Sequence, residues 1–200
     1  MIEIFDRLAD HFERGHAREN VTVLPGFAVR LPPVLTPAAV LIGITERPEP
    51  GVILTHRRAD MRKHAGQVAF PGGKLDPGED AVAAALREAN EELGIDPANV
   101  RVIGTSDRFV TGTGYEVTPV IATLPPDLPL VPNPDEVSSW FEPPLAFVLD
   151  PANHARKEAM FEGEMHPYIE IMWEGHRIWG VTAAIIANLA QRLNGLGDKA

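Results

Sequence analysis

Apolar residues at helical spacing predict a helix near each end of the chain. Residues 2–14 form the first, because apolar side chains recur there every three or four positions. These positions are Ile2, Phe5, Leu8, Ala9 and Phe12. A second helix is predicted from Thr182, as its N-cap, to about Leu193. Its apolar face holds Ile185, Ile186 and Leu189.

Between these helices, shorter apolar segments predict strands. Residues 38–45 predict a buried strand, and residues 52–55 predict its hairpin partner after a proline-containing turn. Residues 15–37 hold four prolines and are expected to be irregular. The remaining predicted elements are strands at 100–106, 117–124 and 137–141, a short helix around 145–149, and a hairpin of 168–173 with 176–179.

The segment from Phe70 to Ile95 predicts a loop that leads into a helix. Residues 70–73, Phe-Pro-Gly-Gly, predict a turn, and the loop is expected to continue through residue 79. From Asp80 to Leu93 the residues are strong helix formers. Asp80 can complement the helix dipole in the first turn, and Gly94 is a favourable residue to end the helix.

Three carboxylates fall on one side of this predicted helix. Glu88, Glu91 and Glu92 lie within an arc of roughly 100°, where their charges repel each other. A divalent cation would relieve that repulsion, and oxygen ligands of this kind suit Mg²⁺ or Mn²⁺. The alternative is a solvated acidic face balanced by Arg87. The glycines before the helix, Glu79 and Gly94 favour the metal site over that alternative.

Positive charge is concentrated just before the glycines, in residues 56–69. This segment holds Arg57 and Arg62, and guanidinium groups are common partners of phosphate. His64 lies in the same segment and is either a phosphate contact or a surface histidine. The alternative for the whole segment is a solvated basic loop.

Composition narrows the classes of protein to consider. Two hundred residues suit one domain, and no apolar run approaches the ~18 residues of a membrane span. The absence of cysteine excludes disulfides, thiolate metal sites and a cysteine nucleophile. A net charge of −10 disfavours non-specific binding to nucleic acid. No signal peptide is recognised at the first residues, so a cytoplasmic location is expected.

The stretch around the helix resembles the Nudix box. Its specified positions are Gly73, Glu79, Arg87-Glu88, an apolar slot at Ala89, Glu91-Glu92, Gly94 and Ile95. The resemblance implies the α/β class, with the Nudix αβα sandwich and a mixed β-sheet between helices. It also implies hydrolysis of a diphosphate with a divalent metal. Glu88 and Glu92 would bind that metal, and Glu91 would be a further ligand or the general base.

A second resemblance concerns the segment before the box. Thr55, Arg57, Arg62, Gly66 and residues 70–73 match an element of the Nudix coenzyme A pyrophosphatases, and the similarity covers most of residues 35–190. Arg58 departs from the small residue of that element. The resemblance implies hydrolysis of coenzyme A or its derivatives to 3′,5′-ADP and 4′-phosphopantetheine. Accordingly, residues 35–193 are the expected catalytic domain, after a lead-in of residues 1–34 and before a tail of residues 194–200.

Further roles follow from this hypothesis. Arg57 and Arg62 would hold substrate phosphates, Gly72 and Gly73 would let the backbone approach the substrate, and Glu79 and Arg87 would support the site. The rivals are another diphosphate substrate, such as ADP-ribose, and a non-catalytic nucleotide sensor. A homodimer through the last hairpin and helix is possible.

Two other features are left open by the sequence. Glu136 is either an acid or base outside the box or an ordinary acidic loop residue, and the second is favoured. Trp173 and Trp179 lie at strand spacing. They are expected to pack in the core or at an edge, with stacking on adenine as the alternative.

Overall fold

The computed structural model describes residues 3–18, 33–58, 60, 66–161 and 163–193. These residues contain four α-helices, two short 3₁₀ helices (Pro97–Asn99 and Pro151–Asn153) and eleven strands. The helices are α1 (Ile4–His16), α2 (Ala81–Leu93), α3 (Leu145–Leu149) and α4 (Gly180–Arg192). The strands are β1 (Thr36–Thr45), β2 (Leu54–Arg57), β3 (Val68–Ala69), β4 (Gly72–Lys74), β5 (Arg101–Thr105), β6 (Phe109–Val110), β7 (Tyr115–Leu124), β8 (Val137–Phe141), β9 (Ala155–Phe161), β10 (Glu164–Trp173) and β11 (His176–Trp179).

The central sheet is mixed, with the strand order β4-β1-β7-β5, and β6 also pairs with β7. Its two long strands, β1 and β7, run parallel in register from Thr36–Tyr115 to Thr45–Leu124. The other pairs in this sheet are antiparallel. Both faces of β1 are buried, which explains its nearly continuous apolar sequence.

Helices cover both faces of the central sheet. On one face, Ala84, Ala85, Ala89 and Leu93 of α2 pack in one cluster with Leu41 and its neighbours. On the other face, residues of α1 and α4 share a second cluster with Ile42 and Ile44 of β1. The small residues of α2 let the helix lie close to the sheet. The predicted α/β sandwich with a mixed sheet between helices is confirmed.

Two small antiparallel sheets complete the fold. One has the strand order β3-β2-β8 and the other β11-β10-β9. Thr182 Oγ1 in α4 donates a hydrogen bond to the carbonyl of Val68 in β3, at 3.0 Å. This bond ties the start of the last helix to the strand that precedes the two glycines.

The N-terminal helix is fixed by one buried arginine. Arg192 of α4 is 3% exposed and donates to both carboxylate oxygens of Asp107, each at 2.8 Å. It also donates to the carbonyl of Gly15 at 2.9 Å. A Cβ at Gly15 would lie 1.8 Å from the carbonyl oxygen of Arg192, so only glycine permits this contact.

The predicted hairpin of residues 38–45 with 52–55 is wrong. The two segments share a single antiparallel bridge, Ile44–Val52, and β2 then pairs with β3 and β8 in another sheet. The physical reason is that β7 pairs along one whole edge of β1 and β4 pairs with residues 38–40 on the other edge, which leaves only the end of β1 free to contact residues 51–53.

Three further local expectations differ from the structure. Gly72 and Gly73 belong to strand β4 beside β1 rather than to a turn. The last helix begins at Gly180 with Trp179 at the N-cap, so Thr182 lies inside it and bonds to Val68 instead of capping it. Strand β9 was missed because its polar and charged residues hide the alternation. No helix among the described residues is long and apolar enough to cross a membrane.

Candidate active site

Helix α2 places two carboxylates in the lining of a cleft. Asp80 caps the helix by accepting a hydrogen bond from the backbone N–H of Ala83 at 2.8 Å. The helix ends at Gly94, whose φ of 69° allows the left-handed C-cap. Glu88 and Glu92 are one turn apart and therefore share a face. That face lines the cleft.

A third carboxylate comes from outside the helix. Glu136 immediately precedes β8, and one of its carboxylate oxygens lies within 4.8 Å of ligand oxygens of Glu88 and Glu92. The interpretation of Glu136 as an ordinary loop residue was therefore wrong. The only signal for it in the sequence was its place in the segment similar to the coenzyme A pyrophosphatases.

Glu91 lies outside this group of three. Its side chain is half exposed, and its Oε2 accepts a hydrogen bond from Arg87 Nη1 at 3.2 Å. Its neighbours Glu88 and Glu92 are 14% and 2% exposed. The three box glutamates thus differ in surroundings, although their spacing on the helix made them look alike.

Arg87 connects the loop before the helix to the box carboxylates. It donates from Nε and Nη2 to the two oxygens of Glu79, both at 3.0 Å, and from Nη1 to Glu88 Oε1 at 2.9 Å. Its Nη2 also donates to the carbonyl of Lys74 at 3.0 Å. These hydrogen bonds raise the pKa of Arg87 and lower the pKa of Glu79. The contacts fix the orientation of Glu88.

Burial dominates the electrostatics of the two inner carboxylates. It raises the pKa of Glu92 to about 8, against the opposing charge of Arg57. It also raises the pKa of Glu88, against the hydrogen bond from Arg87. The negative charge of Glu136 adds to both shifts. Because burial disfavours the ionised forms of Glu88 and Glu92, these carboxylates need a positive charge beside them.

Two buried polar atoms support the presence of a ligand at this position. Glu92 Oε2 and Arg57 Nε are buried and have no hydrogen-bond partner within the described part of the chain. The same two side chains approach each other only to 3.7 Å, between Nη1 and Oε1. A cation beside Glu92 and an anionic oxygen beside Arg57 would satisfy both atoms. Three carboxylates offer the hard oxygen ligands that Mg²⁺ and Mn²⁺ prefer, so the residues fit such an ion.

The two glycines of β4 leave room for these groups. A Cβ at Gly73 would lie 2.3 Å from Glu88 Oε1, and a Cβ at Gly72 would lie 2.4 Å from the carbonyl oxygen of Ala39. Gly72 therefore lets β4 lie against β1, and Gly73 lets Glu88 lie against β4. Both glycines line the cleft.

The cleft has a volume of about 980 Å³ and extends well beyond the carboxylates. Arg57, Glu88, Glu92 and Glu136 are among its lining residues, together with Thr111, Gly112, Thr113 and Tyr115. Another wall comes from β9, β10, β11 and the start of α4, with Met160, Tyr168, Trp179 and Val181 among its residues. Of the residues in this wall, the sequence singled out only Trp179, with stacking on adenine as the alternative role.

The structure brings together five of the predicted cleft residues: Arg57, Gly72, Gly73, Glu88 and Glu92. Arg62 and His64 lie outside the described residues. Trp173 and Trp179 have separate positions. Trp173 is partly buried against the core and stacks with Phe141 at 5.8 Å, whereas Trp179 lines the cleft.

Comparisons with known proteins agree on the family of this fold. A NUDIX domain model matches residues 34–162. NudL of Escherichia coli strain K12, described as an uncharacterized Nudix hydrolase, is 48% identical over 157 residues, which are 78% of this chain and 82% of NudL. NudL of Shigella boydii matches with the same identity and coverage. A MutT/nudix family protein from Enterococcus faecalis has a TM-score of 0.50 at 15% identity, over 100% of this chain and 76% of that protein. This last likeness concerns the fold alone.

Proposed function

This chain belongs to the Nudix hydrolase family, and we propose that it hydrolyses the diphosphate bond of coenzyme A or its derivatives. The products would be 3′,5′-ADP and 4′-phosphopantetheine, or its acylated form. Nudix hydrolases generally use divalent metal ions, and we propose Mg²⁺ or Mn²⁺ for this one.

One observation carries the proposal: the carboxylates open into a cleft of about 980 Å³ whose other walls are largely apolar. Coenzyme A has its diphosphate in the middle of a long molecule. A site for it must therefore accommodate an extended group on each side of the reacting phosphorus atoms. The match of Thr55, Arg57, Gly66 and residues 70–73 to the coenzyme A element supports the same substrate.

In this proposal the chain's own residues bind and orient the diphosphate. Glu88, Glu92 and Glu136 would hold the metal, which when bound supplies positive charge to the phosphate oxygens and lowers the pKa of water. The unpartnered Nε of Arg57 would donate to a phosphate oxygen. The Gly72-Gly73 backbone would lie beside the substrate, since neither residue has a side chain to keep it away.

The attacking water must lose a proton to a base. Glu91 is the base that the family resemblance implies, and Glu136 is a second candidate, because it lines the cleft. We propose that Arg87 and Glu79 act by positioning Glu88, because Arg87 bonds to both glutamates.

The test is mass spectrometry of the products formed from coenzyme A in ¹⁸O-water with Mg²⁺ or Mn²⁺. We expect 3′,5′-ADP and 4′-phosphopantetheine, with one ¹⁸O in one of the two products. ADP-ribose and a dinucleoside polyphosphate serve as parallel substrates. Faster hydrolysis of either parallel substrate would overturn the coenzyme A assignment. Binding of these ligands without any hydrolysis would favour the sensor instead.

We further propose that the protein acts in the cytoplasm and that two copies associate through the last hairpin and helix. The exposed side chain of Met172 on β10 supports the contact. Light scattering in solution tests the association. A mass equal to one chain at micromolar concentration would rule it out.

A further inference from the structure

We infer that Trp179 and Tyr168 form a stacking platform for the purine ring of the substrate, and that Glu170 positions this platform through Arg177. The inference rests on the proposed function, because it assigns one half of the proposed substrate to one wall of the cleft. Neither the family model, which ends at residue 162, nor the carboxylate cluster accounts for these four residues.

The two rings form a corner in the cleft wall. Trp179 lies on β11 and Tyr168 on the neighbouring strand β10, and both line the cleft. Their ring centroids are 6.0 Å apart, with an angle of 73° between the planes. This edge-to-face arrangement is favourable for aromatic pairs. A flat ring that enters the corner can lie on one aromatic face and meet the other at its edge.

Arg177 holds both rings. Its guanidinium carbon lies 4.7 Å from the centroid of Trp179, and its Nη2 donates to the hydroxyl of Tyr168 at 3.2 Å. Arg177 does not line the cleft, so it covers Trp179 from behind and leaves the ring accessible to a ligand. A cation over an indole face is attractive and restricts rotation of the ring.

Glu170 in turn fixes Arg177. Its carboxylate is 4% exposed and accepts a hydrogen bond from Arg177 Nε at 2.5 Å. Lys157 of β9 pairs with its other oxygen. These contacts lower the pKa of Glu170. A buried carboxylate is unfavourable unless it is paired, and here the pairing joins β9, β10 and β11.

A purely structural role does not account for the placement of these rings. Trp173 and Trp179 are both partly buried. Trp173 stacks with His176 and Phe141, at 5.7 and 5.8 Å, and does not line the cleft. Trp179 contributes to the cleft surface instead, and Arg177 and Glu170 orient its ring.

The chemistry of the platform favours the nucleotide half of the substrate. Stacking of a base on an aromatic side chain is worth about 1–3 kcal/mol. The pantetheine half has no ring, and its flexible chain is served equally well by the aliphatic residues of the cleft. We therefore assign the adenine to the platform and the pantetheine arm to the remaining apolar lining of the cleft.

Calorimetry with the reaction products tests the assignment. In the presence of Mg²⁺, Trp179→Leu should weaken binding of 3′,5′-ADP and of 5′-AMP by about 5- to 150-fold, the equivalent of lost base stacking. Binding of 4′-phosphopantetheine should not change. Trp140→Leu is the matched control, since Trp140 is an exposed tryptophan on β8 outside the cleft, and all three affinities should stay at the wild-type values.

Two results would overturn the inference. One is an unchanged affinity of Trp179→Leu for both adenine nucleotides, or no binding of them by the wild type. The other is a loss confined to 4′-phosphopantetheine, which would reverse the assignment of the two halves. If the wild type fails to cleave coenzyme A but binds 5′-AMP through Trp179, only the proposed function fails.

The role of Glu170 is tested by steady-state kinetics. Glu170→Gln should raise the KM for the cleaved substrate by about 2- to 10-fold and leave kcat unchanged, because the platform loosens while the carboxylate cluster stays intact. Glu174→Gln, in the exposed turn after β10, is the control and should change neither constant. A fall in melting temperature with an unchanged KM would reduce Glu170 to a structural residue. If Glu170→Gln does not fold, Arg177→Met carries the same expectation.

Discussion

At the scale of single residues, Glu92 is a buried carboxylate, and the metal-free protein offers too little positive charge to stabilise its ionised form. Its Oε2 has no partner among the described residues, and the nearest cation, Arg57, stands 3.7 Å from Oε1. Helix packing alone would favour an apolar residue at this position. Glu92 is therefore retained at the expense of stability, which yields a measurable dependence on pH.

The first prediction concerns the stability of the metal-free protein. The pKa of Glu92 is about 8 in the folded state and near the ordinary glutamate value in the unfolded chain. Between these values the folded state binds more protons, so stability falls as pH rises. Glu92→Gln removes this penalty. In EDTA it should raise the melting temperature at about pH 8 by roughly 5 °C, or about 2 kcal/mol, with a smaller gain at about pH 5.

Differential scanning calorimetry at both pH values provides the measurement. Glu91→Gln, at the half-exposed position, is the control and should shift the melting temperature little. Mg²⁺ should stabilise the wild type and not Glu92→Gln. A mutant that melts below the wild type at both pH values would show that the carboxylate is stabilising and that this account of its burial is mistaken.

The second prediction concerns turnover. Glu92→Gln and Glu88→Gln should each lower kcat by about 100-fold or more, because they remove an oxygen that holds the metal. Glu136→Gln should lower it by at least about 10-fold. Assays at saturating Mg²⁺ check this, with circular dichroism to verify folding. Near-normal rates for Glu92→Gln would refute its assignment.

The choice of base is decided by Glu91→Gln. If Glu91 takes the proton, its replacement should lower kcat by about 100-fold and remove the acidic limb of the pH–rate profile. If Glu136 takes it, Glu91→Gln should keep most of the activity and Glu136→Gln should lose that limb.

The sequence predicted which residues meet in the site where they share one helix. It did not predict those that come from separate elements. Glu88 and Glu92 follow from the 3.6-residue repeat of α2, which alone places them on one face. Glu136 joins them only because β8 pairs with β2, and no local pattern encodes that approach. The same limit applied to Trp179, whose strand spacing could not separate it from Trp173.

At the scale of elements, α2 carries two separable properties: its stability and the position of its carboxylates. Asp80 caps the helix by accepting from Ala83 N–H at 2.8 Å and is not a member of the cluster of Glu88, Glu92 and Glu136. Gly73 of β4 does not belong to the helix but determines the space available to Glu88. One substitution at each position should therefore affect one property and spare the other.

The third prediction compares these two substitutions. Asp80→Ala should cost about 1 kcal/mol of stability and leave the affinity for Mg²⁺ unchanged. Gly73→Ala should keep the melting temperature within about 2 °C, since the flexible end of Glu88 can move away, and weaken Mg²⁺ binding by at least about 10-fold. Thermal melts and Mg²⁺ titration calorimetry give both values. The reverse pattern would show that Gly73 serves the backbone rather than Glu88.

Helices and strands were predicted best where the spacing of apolar residues along the sequence matched the face that the element buries. The strands β1, β5, β7 and β8 and the helices α1 and α2 were recognised within a few residues. Pairing was a different matter, because β1 takes β7 as its parallel partner from across the chain. Residues 155–160 of β9 are all exposed and include Arg156, Lys157 and Glu158, so neither its composition nor an apolar alternation suggested a strand.

At the scale of the whole molecule, the first and last helices, α1 and α4, are joined through Arg192. This side chain is almost fully buried, and it connects α4 to Asp107 and to the carbonyl of Gly15 at the end of α1. No sequence pattern indicated the contact, since its members are far apart and each is common on surfaces. It closes the layer of helices over the central sheet.

The fourth prediction concerns this contact. Arg192→Met should destabilise the protein by about 3–5 kcal/mol, because it leaves the carboxylate of Asp107 without its bidentate partner. Arg14→Met is the control, since Arg14 forms an exposed pair with Asp10, and it should change stability by less than about 1 kcal/mol. Urea unfolding measures both. Equal effects of the two variants would show that the buried contact contributes no more than a surface pair.

The NUDIX match ends at residue 162, and this position divides the cleft-lining residues into two groups. The matched NUDIX segment contains every member of the acidic cluster, whereas β10, β11 and α4, which supply many of the other cleft-lining residues, follow it. In this chain the residues proposed to hold the metal and those proposed to stack the base therefore lie in different segments. Replacing residues 163–193 with the corresponding segment of a relative that acts on another substrate should transfer the substrate preference of that relative. The rate of the chemical step should remain that of the recipient.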